Sequence, residues 1–139
     1  MKKLFLYWLP LIAHASLIYY LSSRQNFPVE APPWAFFADK VVHAGLFGFL
    51  TLLAIRAWKM DYPGKVSIKV LIIITICVSL YGITDEVHQI YVPNREPDVN
   101  DWVADTIGAM IVSASYWFVQ KKFIKKEVSP WFCIIQQSH

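Results

Sequence analysis

Four stretches of the chain are almost wholly apolar, and short polar segments separate them. Leu4–Leu21 carries no charge and is interrupted only by residues such as His14 and Ser16. Val41–Ala57 is apolar apart from His43, Thr51 and Arg56. Val66–Ile83 has one lysine near its start, and Trp102–Phe118 has one acid, Asp105. Each run approaches the ~20 residues that a helix needs to cross a hydrocarbon core of ~30 Å. A helix of a soluble bundle would show a polar face at the helical period. The run from Val70 to Val78 shows none. The pattern predicts an all-α integral membrane protein with four spans, at about 4–21, 41–58, 66–84 and 102–120.

Composition agrees with lipid as the solvent. Hydrophobic residues make up 56% of the 139 residues and charged residues 17%, with a mean hydropathy of +0.40. A chain this apolar is not intrinsically disordered. Two cysteines exclude a disulfide scaffold. Cys77 falls at lipid depth and Cys133 in the C-terminal tail, so no disulfide is expected.

Charge gives the expected orientation. Ten of the thirteen basic residues flank one side of the spans, among them Lys2, Lys3, Lys59, Lys65, Lys121 and Lys122, whereas Arg24, Lys40 and Arg95 fall on the other. Positive charge marks the cytoplasmic side, so both termini and the loop after the second span are expected there. Eight of the ten acids fall on the opposite, outer side. The basic excess then reflects topology and anionic inner-leaflet lipid rather than a nucleic-acid partner. The N-terminus, Met1-Lys-Lys followed by an apolar run and Ala13-His-Ala15, has the shape of a cleavable signal peptide. The apolar run continues to Leu21, which predicts an uncleaved first span. The domain is expected over 1–126, followed by a cytoplasmic tail at 127–139.

Polar residues converge at the outer ends of three spans. Asp39 and His43 are four apart and share a helix face. Asp85, His88 and Gln89 share another, with Glu86 turned away by about 100°. Asp101, Asp105 and Gly108 line the fourth span. A loop stiffened by Pro93 and Pro97 carries Arg95 between the third and fourth. Lys40 and Arg95 are the counterions, and a loop arginine suits forked contacts to phosphate or carboxylate. Asp39 is placed to orient His43.

Three readings of this cluster stand side by side. It is a structural ion-pair network that locks helices together. It is a divalent metal site of His and carboxylate ligands, although no H-E-x-x-H motif is present. Or it is an acid/base or anion-recognition site, in which His43, Asp85, Glu86 and His88 are the candidate catalytic groups. In that reading Lys40, Gln89, Arg95, Asp101 and Asp105 bind substrate. A transporter is the weaker idea, since no broken-helix pair or inverted repeat is evident. Elsewhere, His14 is expected to hydrogen-bond a neighbouring helix. Gly45, Gly48 and Gly108 are expected at close helix approaches. Trp34, Phe36, Phe37, Trp58, Trp102 and Trp117 are expected in the aromatic belts.

The spacing also resembles a known family. Asp39-Lys40-x-x-His43-x-x-x-Phe47, Tyr81-Gly82-x-x-Asp85-Glu86-x-His88-Gln89-x-Tyr91-Val92-Pro93-x-Arg95, Asp101 and Gly108-Ala109 look like the VanZ-like family, as does the Leu21-Ser22-Ser23 end of the first span. The resemblance runs from about Leu17 to Val112. It implies a small multi-pass protein of the bacterial inner membrane with an extracytoplasmic site. It also implies an association with low-level resistance to the glycopeptide teicoplanin. The partners expected are the bilayer and an envelope lipid, cell-wall precursor or glycopeptide. The motif positions carried over are Asp39, Lys40, His43, Asp85, Glu86, His88, Gln89, Arg95 and Asp101. The chain departs from the family by having Asp105 where asparagine is usual and by lacking a second glycine after Gly108-Ala109. The extra acid makes the outer site more negative.

Overall fold

The computed structural model describes residues 2–24 and 34–127. Within them the chain forms four helices: α1 (Lys2–Ser22), α2 (Trp34–Asp61), α3 (Ile68–Gln89) and α4 (Val99–Glu127). All four are long and apolar enough to cross a membrane. The expected tail with Cys133 lies outside the described residues, as does the Phe36 side chain.

Large apolar side chains cover the outside of the bundle. Leu4, Leu9, Ile72, Ile73, Ile76, Leu80 and Met110 are all more than 50% exposed. Such an exposed apolar belt is stable only against hydrocarbon. The interior is small and centres on Ile18, Phe47, Leu50, Leu71, Ile74 and Val78.

Lipid is as apolar as the core, so burial alone cannot hold these helices together. Close packing and interhelical hydrogen bonds do so instead. α2 packs most extensively on α4. There Gly48 and Gly108 let the backbones approach. A Cβ built at Gly48 would lie 3.3 Å from the Gly108 carbonyl oxygen, and one built at Gly108 would collide with the Ala44 backbone. Gly45 differs from expectation: a Cβ there would meet nothing within 4 Å, so it faces away from the contact. α1 is tied to α2 by His14 Nε2 and the Leu46 carbonyl, 2.9 Å apart, and to α3 by Tyr81, whose hydroxyl donates to the Ala15 carbonyl at 2.7 Å. α3 and α4 are joined by the Thr75–Ser113 and Ser79–Thr106 hydroxyl pairs, each 2.8 Å. Trp102 belongs to this contact rather than to an aromatic belt. Its indole N–H donates to Ser79 Oγ at 3.1 Å.

The helices run beyond the apolar stretches. α2 begins at Trp34 and α3 continues to Gln89, so Asp39, Lys40, Asp85 and Glu86 lie inside helices rather than at span edges. Lys40 is held within α2 by its bond to Asp101 on α4, and Glu86 within α3 by the Asp98 N–H of the following loop. At the opposite end, Ser67 caps α3 by accepting from the Val70 N–H at 3.3 Å. Gln120 of α4 pins the α2–α3 loop by bonding both the N–H and the C=O of buried Val66, at 3.2 and 2.8 Å.

Candidate functional site

The loop between α3 and α4 is built to turn back over the bundle. The Arg95 N–H reaches the Val92 carbonyl at 3.2 Å across Pro93 and Asn94, and Asn94 has φ 60°. Proline at the second turn position and a left-handed asparagine at the third are the pattern of a type II turn. Asp98 then caps α4. Its Oδ1 accepts from the Asn100 N–H at 2.9 Å, and its carbonyl accepts from the Asp101 N–H at 2.8 Å. Glu86 fixes this cap to α3, since its Oε2 accepts the Asp98 N–H at 2.8 Å.

Two groups of side chains occupy the α2–α4 seam beneath the loop. In the first, the Lys40 ammonium bonds Asp101 at 2.5 Å, Asp98 at 2.6 Å and Asp39 at 3.2 Å. Lys40 is therefore the cation of an acidic nest. Its hydrogen bond holds the Asp98 carboxyl below the usual aspartate value, with help from Asn100. In the second, His43 Nδ1 lies 3.1 Å from Oδ1 of Asp105, and His43 Nε2 lies 3.7 Å from Asp101. Asp105 has no exposed surface, and its second oxygen has no hydrogen-bond partner among the described residues. The carboxylate that orients the His43 ring is thus Asp105 on α4, while Asp39 is half-exposed and turned to Lys40.

A cavity of about 230 Å³ opens beside this seam, between α1, α2, α3 and the loop. Its polar wall consists of Ser22, Asp39, His43, Asp85 and Arg95. Asp85 is 4% exposed; one oxygen accepts a long 3.4 Å bond from Gln89, and Oδ1 has no partner. The Ser22 hydroxyl stands beside this carboxylate.

Of the expected site residues, Asp39, His43, Asp85 and Arg95 meet around the cavity. Lys40, Asp101 and Asp105 stand directly behind it on the seam. Gln89 is buried and supports Asp85. Glu86 is also buried, despite its different helix face, because the loop and the start of α4 cover it. His88 is separated from the others. Its Nε2 lies 2.9 Å from Ser23 Oγ and its ring lies tilted against Tyr19, with centroids 4.3 Å apart, so it secures the end of α1. Sequence reasoning left Asp98 out of the site, although an aspartate after proline and just before a helical run is a cap signal.

The seam also contains a potential metal set. Ligand atoms of Asp39, His43 and Asp101 lie within 4.8 Å of one another. Lys40 already bonds both carboxylates. A divalent ion there would sit against an ammonium group, so these residues fit a metal only if Lys40 leaves.

These features define a four-helix membrane protein with an acid-rich polar end and a cavity opening from it. A family model described as VanZ/LLP1 matches residues 4–120, which covers all four membrane-crossing stretches nearly to their end. The chain belongs to the VanZ/LLP1 family and is a multi-pass membrane protein. No curated protein and no solved structure matches it.

Proposed function

We propose that the protein resides in the bacterial inner membrane with its polar end outside, and that the cavity recognises or processes an envelope component. An effect on glycopeptide susceptibility, teicoplanin included, is the phenotype that the family suggests. The observation that carries this reading is the buried Asp105–His43 pair at the edge of a polar cavity. A carboxylate on Nδ1 fixes the ring, and Nε2, 3.7 Å from Asp101, is the nitrogen that carries the proton. Arg95 then anchors an anionic group on the substrate, and Asp85 supplies a second carboxylate in a different environment. His88 acts on the position of α1, not on the substrate.

A second reading is supported by Lys40. Three carboxylates around one ammonium form the kind of network that locks helices together, with no chemistry needed. This reading covers Lys40, Asp98 and Asp101. It leaves Asp85 unexplained, a buried carboxylate among the residues that line the cavity.

His43→Gln separates the two, because glutamine keeps a donor for Asp105 but transfers no proton at neutral pH. In a deletion strain, the variant is expected to lose complementation of envelope phenotypes, glycopeptide susceptibility among them. Lost proton transfer lowers turnover by about 10²–10⁴-fold. The purified variant should unfold at nearly the wild-type temperature. Full complementation by His43→Gln would overturn the proton-transfer role. Loss with Arg95→Ala alone would leave a binding or accessory protein.

A further inference from the structure

In the half of the bundle away from the cavity, α3 and α4 frame a groove of about 460 Å³. Its rails are Ile68, Ile72 and Ile76 on α3 and Met110, Ala114 and Phe118 on α4, each set spaced four apart along one helix face. Ala114 is the small residue between two large ones, and it opens the channel. Thr75 and Ser113 also line it, and their hydroxyls satisfy each other at 2.8 Å, with Thr75 donating to the Leu71 carbonyl. The groove therefore asks for no polar partner. From Ile68 to Ile76 it runs about 12 Å at the helical rise. It starts at the first residue of α3 and stops near the middle of that helix. One leaflet of a ~30 Å hydrocarbon core is about 15 Å deep. The groove thus has the reach of an acyl chain in one leaflet, whereas a partner helix would use a face along the whole span.

A polar recess of about 410 Å³ lies at the loop end of this groove. Trp117 borders both, and Ser67 of the recess is followed directly by Ile68 of the groove. Both are open faces of the bundle. Ile72, Met110 and Phe118 are more than half exposed, and Lys65, Ser67 and Lys121 are exposed too. A headgroup in one and a chain in the other need no tunnel between them. The recess is cationic, with Lys65 and Lys121 on its wall. Among the described residues neither lysine pairs with a carboxylate. The Lys121 ammonium lies 4.5 Å from the centre of the Trp117 ring, which holds it at the rim. The Gln120 amide grips both backbone groups of Val66 and so fixes the chain between Lys65 and Ser67. The Ser67 hydroxyl accepts from the Val70 N–H and keeps its own proton to donate.

We propose that the α3–α4 groove and its lysine recess bind an anionic phospholipid, with the phosphate between Lys65 and Lys121 and one acyl chain between the two apolar rails. The lipid belongs to the leaflet at the α2–α3 loop, the inner one in the orientation proposed above. The site is separate from the cavity and does not depend on what the cavity does. Charge specifies the lipid: a zwitterionic headgroup brings its own ammonium to the two lysines, and an anionic one does not.

The test is native mass spectrometry of the full chain released from detergent. Phosphatidylglycerol, phosphatidylethanolamine and phosphatidylcholine are offered in competition, and glycerol phosphate in a separate arm. Wild type is expected to retain the glycerol lipid about tenfold or more over the other two, since each lysine beside an anionic headgroup contributes roughly fivefold. Lys65→Gln combined with Lys121→Gln is expected to bring that preference near unity. Lys59→Gln removes a charge at the same end, but one that lies over Tyr116 rather than in the recess, and is expected to keep the preference. Ala114→Phe fills the groove and is expected to lower retention of the glycerol lipid severalfold with both lysines in place. Equal retention of the three lipids by wild type overturns the proposal. A preference that survives loss of both recess lysines overturns it too, as does one lost equally in Lys59→Gln, which would show diffuse charge in place of a site. Unchanged retention by Ala114→Phe overturns the acyl chain's place in the groove, and glycerol phosphate held as tightly as the lipid overturns the lipid as ligand. The lysine variants change only exposed side chains, so they decide the matter even if Ala114→Phe does not fold.

Discussion

Gly108→Ala is expected to destabilise the bundle by about 3 kcal/mol, the upper part of the usual range for overpacking. The new Cβ would fall on the Ala44 carbonyl, and backbone cannot rotate aside as a side chain can. α2 and α4 would have to separate along their most extensive contact. That separation would also lengthen the His43–Asp105 and Lys40–Asp101 contacts, which cross the same seam. Gly45→Ala is the control: it sits on the same helix as Ala44 with open space at Cβ. It should be neutral or slightly stabilising, because alanine is the better helix former. Thermal unfolding in detergent checks both. Equal unfolding temperatures for Gly108→Ala and wild type would show that the close crossing is not needed.

Lys40→Met should have the next largest effect. It leaves Asp39, Asp98 and Asp101 facing one another without their shared ammonium. Breaking a buried pair by removing one partner costs about 3–5 kcal/mol. The Lys40 and Asp98 side chains retain 17% and 33% exposure, so about 2–3 kcal/mol is expected here. The pH dependence follows from Asp98. Its carboxyl titrates below the usual 3.8 in the folded protein because Lys40 bonds it. The stabilisation is therefore complete above 3.8 and is lost as pH falls below it through the lowered value. Thermal unfolding at neutral and acidic pH should show a wide gap between wild type and Lys40→Met that narrows in acid. Lys40→Met combined with Asp101→Asn should recover part of the loss. A gap unchanged by acid would show that the acidic nest is not held by this charge.

The spans were legible because hydrocarbon demands long uninterrupted apolar runs, and α1 follows its run closely, whereas α3 continues past its run to Gln89. The start of α2 was not. Asp39 and Lys40 read as a boundary, whereas their bonds to each other and across the seam to α4 keep them within a helix. Convergence of acids and histidines at one end could be read from spacing alone. Their pairing could not. Asp39 was the natural choice to orient His43 from its position on the same helix, but the ring meets Asp105, 62 residues away. That choice depends on how α2 crosses α4, which is a tertiary fact. Glu86 and His88 show the same limit. Helix angle placed Glu86 apart and His88 with Asp85, yet the loop covers Glu86 and the end of α1 captures His88. The glycine signal was half informative for the same reason, since only packing shows that Gly48 and Gly108 meet another helix and Gly45 does not.

The cavity end of the bundle is expected to face out of the cell. Single cysteines placed at the two ends test it most directly, in a chain with Cys77 and Cys133 replaced by serine. Tyr91 lies in the α3–α4 loop at the cavity end and is 79% exposed; Tyr62 follows α2 at the other end and is 61% exposed. A membrane-impermeant maleimide added to intact cells is expected to label Tyr91→Cys readily and Tyr62→Cys only after permeabilisation. Labelling of Tyr62→Cys but not Tyr91→Cys in intact cells would contradict an outward-facing site, and with it the envelope component as its ligand.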